Sequence, residues 1–299
     1  MIKTSNQIVF FGSGPVAEKS LKFLSSHFSV EAVITKPIQT NSRDKVPVID
    51  LARKLNLKIF TPKNKPELDE LINKNFFSSQ LGILIDYGII VSQKVIGNFQ
   101  LGILNSHFSL LPILRGPDPI SFAILNGLDK SGVSLMLINP KVDEGKLIAQ
   151  EQLKIQGLTN IELTDQLISL SNSMLEKSIP KYMSGDLVPY AQSASIKPTY
   201  SRKLLKQDGI IDWSKPAYEI EREIRAYISW PKSTTDIFGV PVIITKVKIS
   251  EFEGKAGQID YDKNSMNIKC SEGSLDIISL KPAGRNDMSI SSFISGYKN

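Results

Sequence analysis

Cysteine is almost absent from this chain of 299 residues, and long apolar runs are missing. Because Cys270 is the one thiol, no disulfide can form within the chain, which fits a reducing compartment, and we interpret Cys270 as a small core residue. The longest apolar stretch, residues 81–91, is interrupted by Asp86 and is far shorter than a membrane-spanning helix. The apolar segment at residues 8–11 is too short for a signal peptide. We therefore expect a soluble, cytoplasmic protein.

The positive charge is concentrated in one segment. The chain has a net charge of +6, and residues 36–65, with eight basic and two acidic residues, account for +6 by themselves. From residue 206 onward, thirteen basic residues balance thirteen acidic ones. A basic segment can attract the phosphates of a nucleic acid. A solvated, lysine-rich surface is the alternative explanation.

Strand-like and helical segments alternate in the first 185 residues. Residues 8–11 predict a strand, which is followed by Gly12, Gly14 and a helix with Pro15 in its first turn. Such alternation predicts an α/β fold with a Rossmann-like, mostly parallel sheet. A dinucleotide site is not expected, because Ala17 occupies the place of the third glycine and no acidic residue ends the second strand.

The sequence pattern changes after this region. Residues 186–205 contain proline, alanine, serine and basic residues, and we interpret them as a linker. Beyond one helix at 216–226, short β-rich segments alternate with turn signals, which predicts a small, OB-like β-barrel. The predicted domains are therefore residues 1–185 and residues 206–299.

Polar residues at one strand end form the candidate site. Asn105 and His107 end an apolar run and, being two apart on a strand, point to the same face. Open α/β sheets bind ligands at such strand ends. A second apolar run, residues 133–138, leads to Asp143, which can reach His107 if the two strands are neighbours. An amide, an imidazole and a carboxylate suit proton transfer and oxyanion stabilisation during acyl transfer to an amine, and we expect no metal.

Several motifs carry a resemblance to a known family. They include Asn105-Ser-His-Phe-Ser-Leu-Leu-Pro112 and Val142-Asp-Glu-Gly145 in the first domain, and Ile224-Arg-Ala-Tyr-Ile-Ser-Trp-Pro231 in the second. With these motifs the chain resembles the methionyl-tRNA formyltransferases over nearly its whole length. They are one branch of the formyltransferases that use 10-formyltetrahydrofolate.

The resemblance implies an enzyme that transfers the formyl group of 10-formyltetrahydrofolate to the amino group of initiator methionyl-tRNA, for translation initiation. It implies that His107 donates to the oxyanion, that Asn105 positions the formyl group, and that Asp143 holds the imidazole and helps to remove the amine proton. The folate would be bound by Tyr87, Gly88, Ile89, Ile90, Ser109, Leu110, Leu111 and Pro112. The tRNA would be bound by a β-barrel domain and by Arg43, Lys45, Lys197, Arg202 and Lys203. We expect a monomer.

Two departures from the family pattern keep other hypotheses open. Phe108 follows His107 where the family usually has glycine or proline, and Asp86 replaces a small residue before Tyr87. One alternative is a formyltransferase that acts on a nucleotide-linked amino sugar. The other is an RNA-binding relative that has lost its catalytic activity.

Overall fold

The computed structural model describes residues 7–38 and 46–298. Within them, the strands are β1 (Gln7–Phe11), β2 (Ser29–Ile34), β3 (Ile59–Phe60), β4 (Leu81–Leu84), β5 (Ile103–His107), β6 (Lys130–Leu137), β7 (Leu147–Lys154), β8 (Ser233–Ile237), β9 (Val240–Ser250), β10 (Ile259–Tyr261), β11 (Met266–Lys269), β12 (Ser274–Pro282) and β13 (Met288–Ser289). The helices are α1 (Pro15–His27), α2 (Pro47–Lys54), α3 (Lys65–Lys74), α4 (Gln93–Ile96), α5 (Pro119–Leu125), α6 (Asn160–Met183), α7 (Ala217–Ala226) and α8 (Ile290–Tyr297), with a 3-10 helix at Lys206–Gly209. None of these helices is long and apolar enough to cross a membrane.

The first sheet has seven strands in the order β3-β2-β1-β4-β5-β6-β7. The pairs from β3 to β5 are parallel, and β6 is antiparallel to β5. The predicted α/β class with a mostly parallel, Rossmann-like sheet is therefore confirmed. Because β1 to β5 point the same way, their carboxyl ends form one edge of the sheet, and β5 ends there with His107.

The glycine turn after β1 is required by close packing. A Cβ on Gly12 would lie 2.6 Å from the Cβ of Ala17, the first buried residue of α1, and 2.7 Å from the Phe10 ring. Ala17, Leu21 and Leu24 are spaced at helical intervals and are fully buried. The strand–turn–helix opening therefore serves to pack α1 closely.

One face of the sheet is covered by an aromatic-rich core. Val9 and Phe11 of β1 share this core with Leu68 of α3 and Val95 of α4. The Phe11 ring contacts the Phe99 ring edge-on, with a centroid distance of 5.8 Å. This core holds the strands in place, and the strands in turn position the loops at their carboxyl ends, where the candidate site lies.

The second sheet is antiparallel, with the strand order β10-β11-β12-β9-β8 and β13 paired to β12. It curls into a half-barrel, which confirms the expected small β domain. Its core contains Phe293 of α8 and Cys270, both buried. Cys270 is 3% exposed and is a core residue, as predicted, and this burial raises the pKa of its thiol to about 11.

Contacts divide the chain into two compact units. Unit 1 comprises residues 1–116, 131–153 and 164–200, and unit 2 comprises residues 117–130, 154–163 and 201–299. Within unit 2, α5 packs on α7. The domain boundaries expected from sequence, at residues 185 and 206, stay predictions.

Candidate active site

The end of β5 places Asn105 and His107 on one face of the strand. His107 is buried, whereas Asn105 is half-buried. Among the described residues, no hydrogen bond is made by the Asn105 side chain. The Asn105 amide is thus held on a rigid strand with its hydrogen-bonding groups available to a ligand.

The structure brings Asp143 to His107. The Asp143 Oδ2 atom lies 3.7 Å from His107 Nδ1, and it accepts a hydrogen bond of 2.7 Å from the backbone N–H of Gly116. β6 is antiparallel to β5, so the loop after β6 starts beside the amino end of β5 and carries Asp143 back toward His107. The sequence expectation of a His107–Asp143 contact thus holds, although the path differs from a simple meeting of strand ends.

The Asp143 turn is strained and held in place. Asp143 has a φ of 52°, a left-handed conformation that is unfavourable for most residues. The Gln192 amide donates to the Asp143 carbonyl at 2.8 Å and to the Gly145 carbonyl at 3.0 Å. Arg115 donates to the Gln192 oxygen at 2.8 Å and pairs with Glu144 at 3.1 Å. The carboxylate is therefore positioned by a network that spans the whole turn.

The other ring nitrogen of His107 is also engaged. His107 Nε2 lies 2.9 Å from the carbonyl oxygen of Leu114. Because a carbonyl oxygen only accepts, Nε2 carries a proton in this contact. Leu114 is buried with a φ of 57°, and the Thr199 hydroxyl oxygen accepts a 2.9 Å hydrogen bond from its backbone N–H. A second strained residue thus aims its carbonyl group at the imidazole.

The four residues after β4 that are predicted to bind folate lie in different environments. Tyr87 is buried, with its ring edge-on to Phe11 and its hydroxyl without a hydrogen-bond partner among the described residues. Gly88 has a φ of 71°, Ile89 is half-buried, and Ile90 is 75% exposed. A ligand at this segment would therefore contact the backbone and Ile90 rather than the Tyr87 ring.

The segment after His107 is held by hydrogen bonds. Phe108, Ser109, Leu111 and Pro112 are buried, and Leu110 is half-buried. The Ser134 hydroxyl donates to the Ser109 carbonyl at 2.6 Å, and it accepts from the Leu111 N–H at 3.1 Å. These bonds fix the predicted folate segment on β6.

The Asp86 carboxyl group lies beside the amino end of α1. A Cβ on Gly14, which precedes the first residue of α1, would lie 1.9 Å from Asp86 Oδ2. Although the residue as a whole is exposed, the burial of its carboxyl group raises the pKa of Asp86 to about 6, and the charge of Lys36 partly offsets this. Asp86 also has a φ of 48°. This departure from the family pattern places a partly desolvated acid beside the predicted folate segment.

The predicted tRNA-binding residues are dispersed. Arg43 and Lys45 lie outside the described residues. Lys197 is exposed in unit 1, and Lys203 is exposed in unit 2. Arg202 is held by Asp208 through two hydrogen bonds of 2.6 and 2.9 Å, so its guanidinium is already paired.

Sequence reasoning missed Gln192, Thr199 and Leu114. Gln192 and Thr199 belong to the stretch interpreted as a linker, and no motif distinguishes them. Leu114 acts through its carbonyl group, and an apolar side chain gives no signal for such a role.

Comparisons with known proteins show the family to which the chain belongs. A family model described as "Formyl transferase" matches residues 6–179, and one described as "Formyl transferase, C-terminal domain" matches residues 203–298. The chain therefore belongs to the formyl transferase family.

Individual relatives indicate the branch of the family to which the chain belongs. A methionyl-tRNA formyltransferase of Roseiflexus castenholzii is 32% identical over 95% of this chain and 94% of its own. A methionyl-tRNA formyltransferase of Chloroflexus aurantiacus is 33% identical over 97% of this chain and 96% of its own. Within the formyl transferases, the chain belongs with the methionyl-tRNA formyltransferases.

A solved structure shares the fold. It is the N-formyltransferase of Helicobacter canadensis in complex with folinic acid and dTDP-3-aminofucose, with a TM-score of 0.69 and 22% identity over 92% of this chain and 98% of its own.

Proposed function

We propose that the protein transfers the formyl group of 10-formyltetrahydrofolate to the amino group of initiator methionyl-tRNA. The observation that carries this proposal is the 3.7 Å contact between His107 and Asp143, with the Asn105 amide on the same strand face. Curated relatives of nearly full length support the choice of methionyl-tRNA as the acceptor.

The residues present fit a folate-linked formyl donor. The Asn105 amide has no hydrogen-bond partner among the described residues, so it can bind the formyl group without breaking an existing bond. Gly88, in its left-handed conformation, lets the backbone approach a flat ring closely. The donor supplies the formyl carbon, and the reaction needs only binding, charge stabilisation and proton transfer from the protein.

We assign the oxyanion donor to the N–H at His107 Nε2. As the amine forms the new C–N bond, the formyl oxygen takes on negative charge, and this N–H can leave the Leu114 carbonyl to donate to it. Nδ1 faces Asp143, whose carboxylate orients the imidazole ring. When the bond from the formyl carbon to the folate nitrogen breaks, Asp143 relays the amine proton to that nitrogen.

We assign recognition of the tRNA to basic residues of the chain. Arg43 and Lys45, in the basic segment, are the favoured contacts, with Lys197 and Lys203 as further candidates. Arg202 would have to exchange its Asp208 partner for a phosphate.

The two histidines of the chain provide the test and its control. His107→Asn removes the proposed donor, whereas His27→Asn changes a partly exposed histidine in the last turn of α1. With 10-formyltetrahydrofolate and charged initiator tRNA, we expect H107N to lower kcat roughly a hundred- to a thousand-fold. H27N should match the unmodified protein.

A parallel incubation distinguishes the alternatives. If a dTDP-linked amino sugar is formylated and methionyl-tRNA is not, the proposed acceptor is wrong. If neither is formylated by the unmodified protein, the catalytic proposal itself is rejected.

A further inference from the structure

Unit 2 contains a cavity that the proposed reaction does not use. Its volume is about 230 Å³, and it lies where the end of α5, residues 155–157 and α7 meet. The polar and charged side chains of the lining include two acidic residues, two arginines and a tyrosine: Asp129, Glu221, Arg222, Arg225 and Tyr218. The volume is below the range of roughly 300–1,000 Å³ typical of drug-sized ligands. The cavity therefore suits one small group rather than a whole cofactor.

Arg222 forms no direct ion pair within the part of the chain that the structure describes. Its guanidinium lies over the Tyr218 ring, 5.2 Å from the centroid. Among the described residues, no carboxylate pairs with it and no acceptor binds its N–H groups. The side chain is half-buried, so its N–H groups stay accessible and can bind an acceptor without breaking an existing bond.

The fold admits this guanidinium through a glycine. Gly127 has a φ of 61°, and a Cβ there would lie 2.3 Å from the Arg222 Cζ atom. Any side chain at this position would displace the guanidinium. The turn after α5 thus leaves room for the Arg222 guanidinium in the cavity wall.

Arg225 adds a second guanidinium, and only some of its N–H donors form hydrogen bonds within the protein. It pairs with Glu221 through Nε at 2.5 Å and NH2 at 2.8 Å, and its NH1 donates to the Leu158 carbonyl at 2.9 Å. NH1 and NH2 each carry a further N–H. Asp129 also lines the cavity and forms no ion pair with either arginine.

We propose that this cavity binds a phosphate group through Arg222, with Arg225 as a second donor. Arginine is the side chain best suited to bind an oxyanion through paired N–H groups. A planar carboxylate can be satisfied by one guanidinium, whereas a tetrahedral phosphate has oxygens for two. The negative charges of Asp129 and Glu221 in the lining oppose binding, although Glu221 is paired with Arg225. This inference does not rest on the proposed function, because the cavity and its residues lie wholly in unit 2.

The test is a titration of the full chain with inorganic phosphate, followed by calorimetry. Arg222→Gln should weaken binding roughly ten- to a hundred-fold, because it removes charge-assisted hydrogen bonds. Asp129→Asn should tighten binding, since it removes the opposing charge. Arg285→Gln, at an exposed arginine of unit 2, should have no effect. Thermal unfolding without phosphate checks that each variant is folded.

The results can overturn the proposal in two ways. It is rejected if the unmodified protein shows no saturable binding up to about 10 mM phosphate, a few times the weakest affinity expected of a specific site. It is also rejected if R222Q and R285Q bind phosphate equally well.

A further pair of titrations identifies the source of the phosphate. If it belongs to an RNA backbone, R222Q should reduce by about one the slope of log K against log salt for RNA binding. If it belongs to a free nucleotide, adenosine monophosphate should show the ten- to hundred-fold loss with R222Q, and the RNA slope should be unchanged.

Discussion

Replacing Asp143 with asparagine removes the charge at the proposed proton-transfer group and keeps its shape. The Gly116 N–H can still donate to the side-chain oxygen, as it does to Asp143 Oδ2 at 2.7 Å. Gln192 binds the backbone carbonyl of residue 143 and not its carboxylate, so it continues to hold the turn. The substitution therefore tests the charge with little change in position.

The expected loss follows from the distance between the two groups. At an effective dielectric constant of about 20, a carboxylate charge and a full positive charge on the ring 3.7 Å away would interact by about 4 kcal/mol. Both side chains are largely buried, 7% and 13% exposed, so solvent screening is small. Since about 1.4 kcal/mol corresponds to a factor of ten in rate, the upper limit is roughly a thousand-fold. We expect D143N to reduce the rate of formyl transfer about a hundred- to a thousand-fold.

A single-turnover assay with saturating 10-formyltetrahydrofolate and charged initiator tRNA separates the chemical step from product release. The loss should appear in the rate of transfer, with little change in the KM for tRNA. Asp165→Asn is the matched control, because Asp165 is an exposed carboxylate of unit 1 that pairs with Lys19. A D143N rate within about threefold of the unmodified protein would refute the reasoning, because the charge would then not act in the transition state.

Three further predictions test other parts of the molecule. Burial raises the pKa of Asp86 to about 6 from its ordinary value of 3.8, so between pH 6 and pH 4 the folded state binds a proton that the unfolded chain does not. The stability of the unmodified protein relative to Asp86→Asn should therefore rise as pH falls through this window in urea unfolding, and a pH-independent difference would contradict this. Phe293→Ala removes a fully buried ring stacked on Tyr297 at 4.9 Å, and should cost about 3–5 kcal/mol in urea unfolding; a loss below about 1 kcal/mol would show that the half-barrel core does not depend on it. Replacing Arg43 and Lys45 with alanine should raise the KM for tRNA with little effect on the KM for folate, and equal weakening of both would argue against a tRNA contact.

Much of the fold can be predicted because it depends on patterns of apolar residues. Buried parallel strands require continuous apolar segments, and these identify β1 and β4 directly. The long helix α6 spans Asn160–Met183 despite Pro180 within it. Orientation is harder to predict: nothing in the residues of β6 indicates that it is antiparallel to β5, since that depends on how the chain reaches the strand.

The candidate site is predictable where it depends on side chains and hidden where it depends on backbone. Asn105, His107 and Asp143 have the polar groups that the chemistry needs, so their types and spacing point to them. Leu114 contributes a carbonyl group, which every residue has. Tyr87 belongs to the segment expected to bind folate, yet its side chain lies in the core, so only its backbone is left to contact a ligand.

Strain explains why residues 190–200 belong to the architecture of the site. Asp86, Leu114 and Asp143 all have a positive φ at loops of the candidate site, and each such residue costs roughly 1–3 kcal/mol. Strain of this size persists only where other contacts hold the chain. Gln192 holds the carbonyl of Asp143, and Thr199 holds the N–H of Leu114. The segment expected to act as a linker thus supplies the hydrogen bonds that keep the carboxylate and the carbonyl group aimed at the two nitrogens of His107.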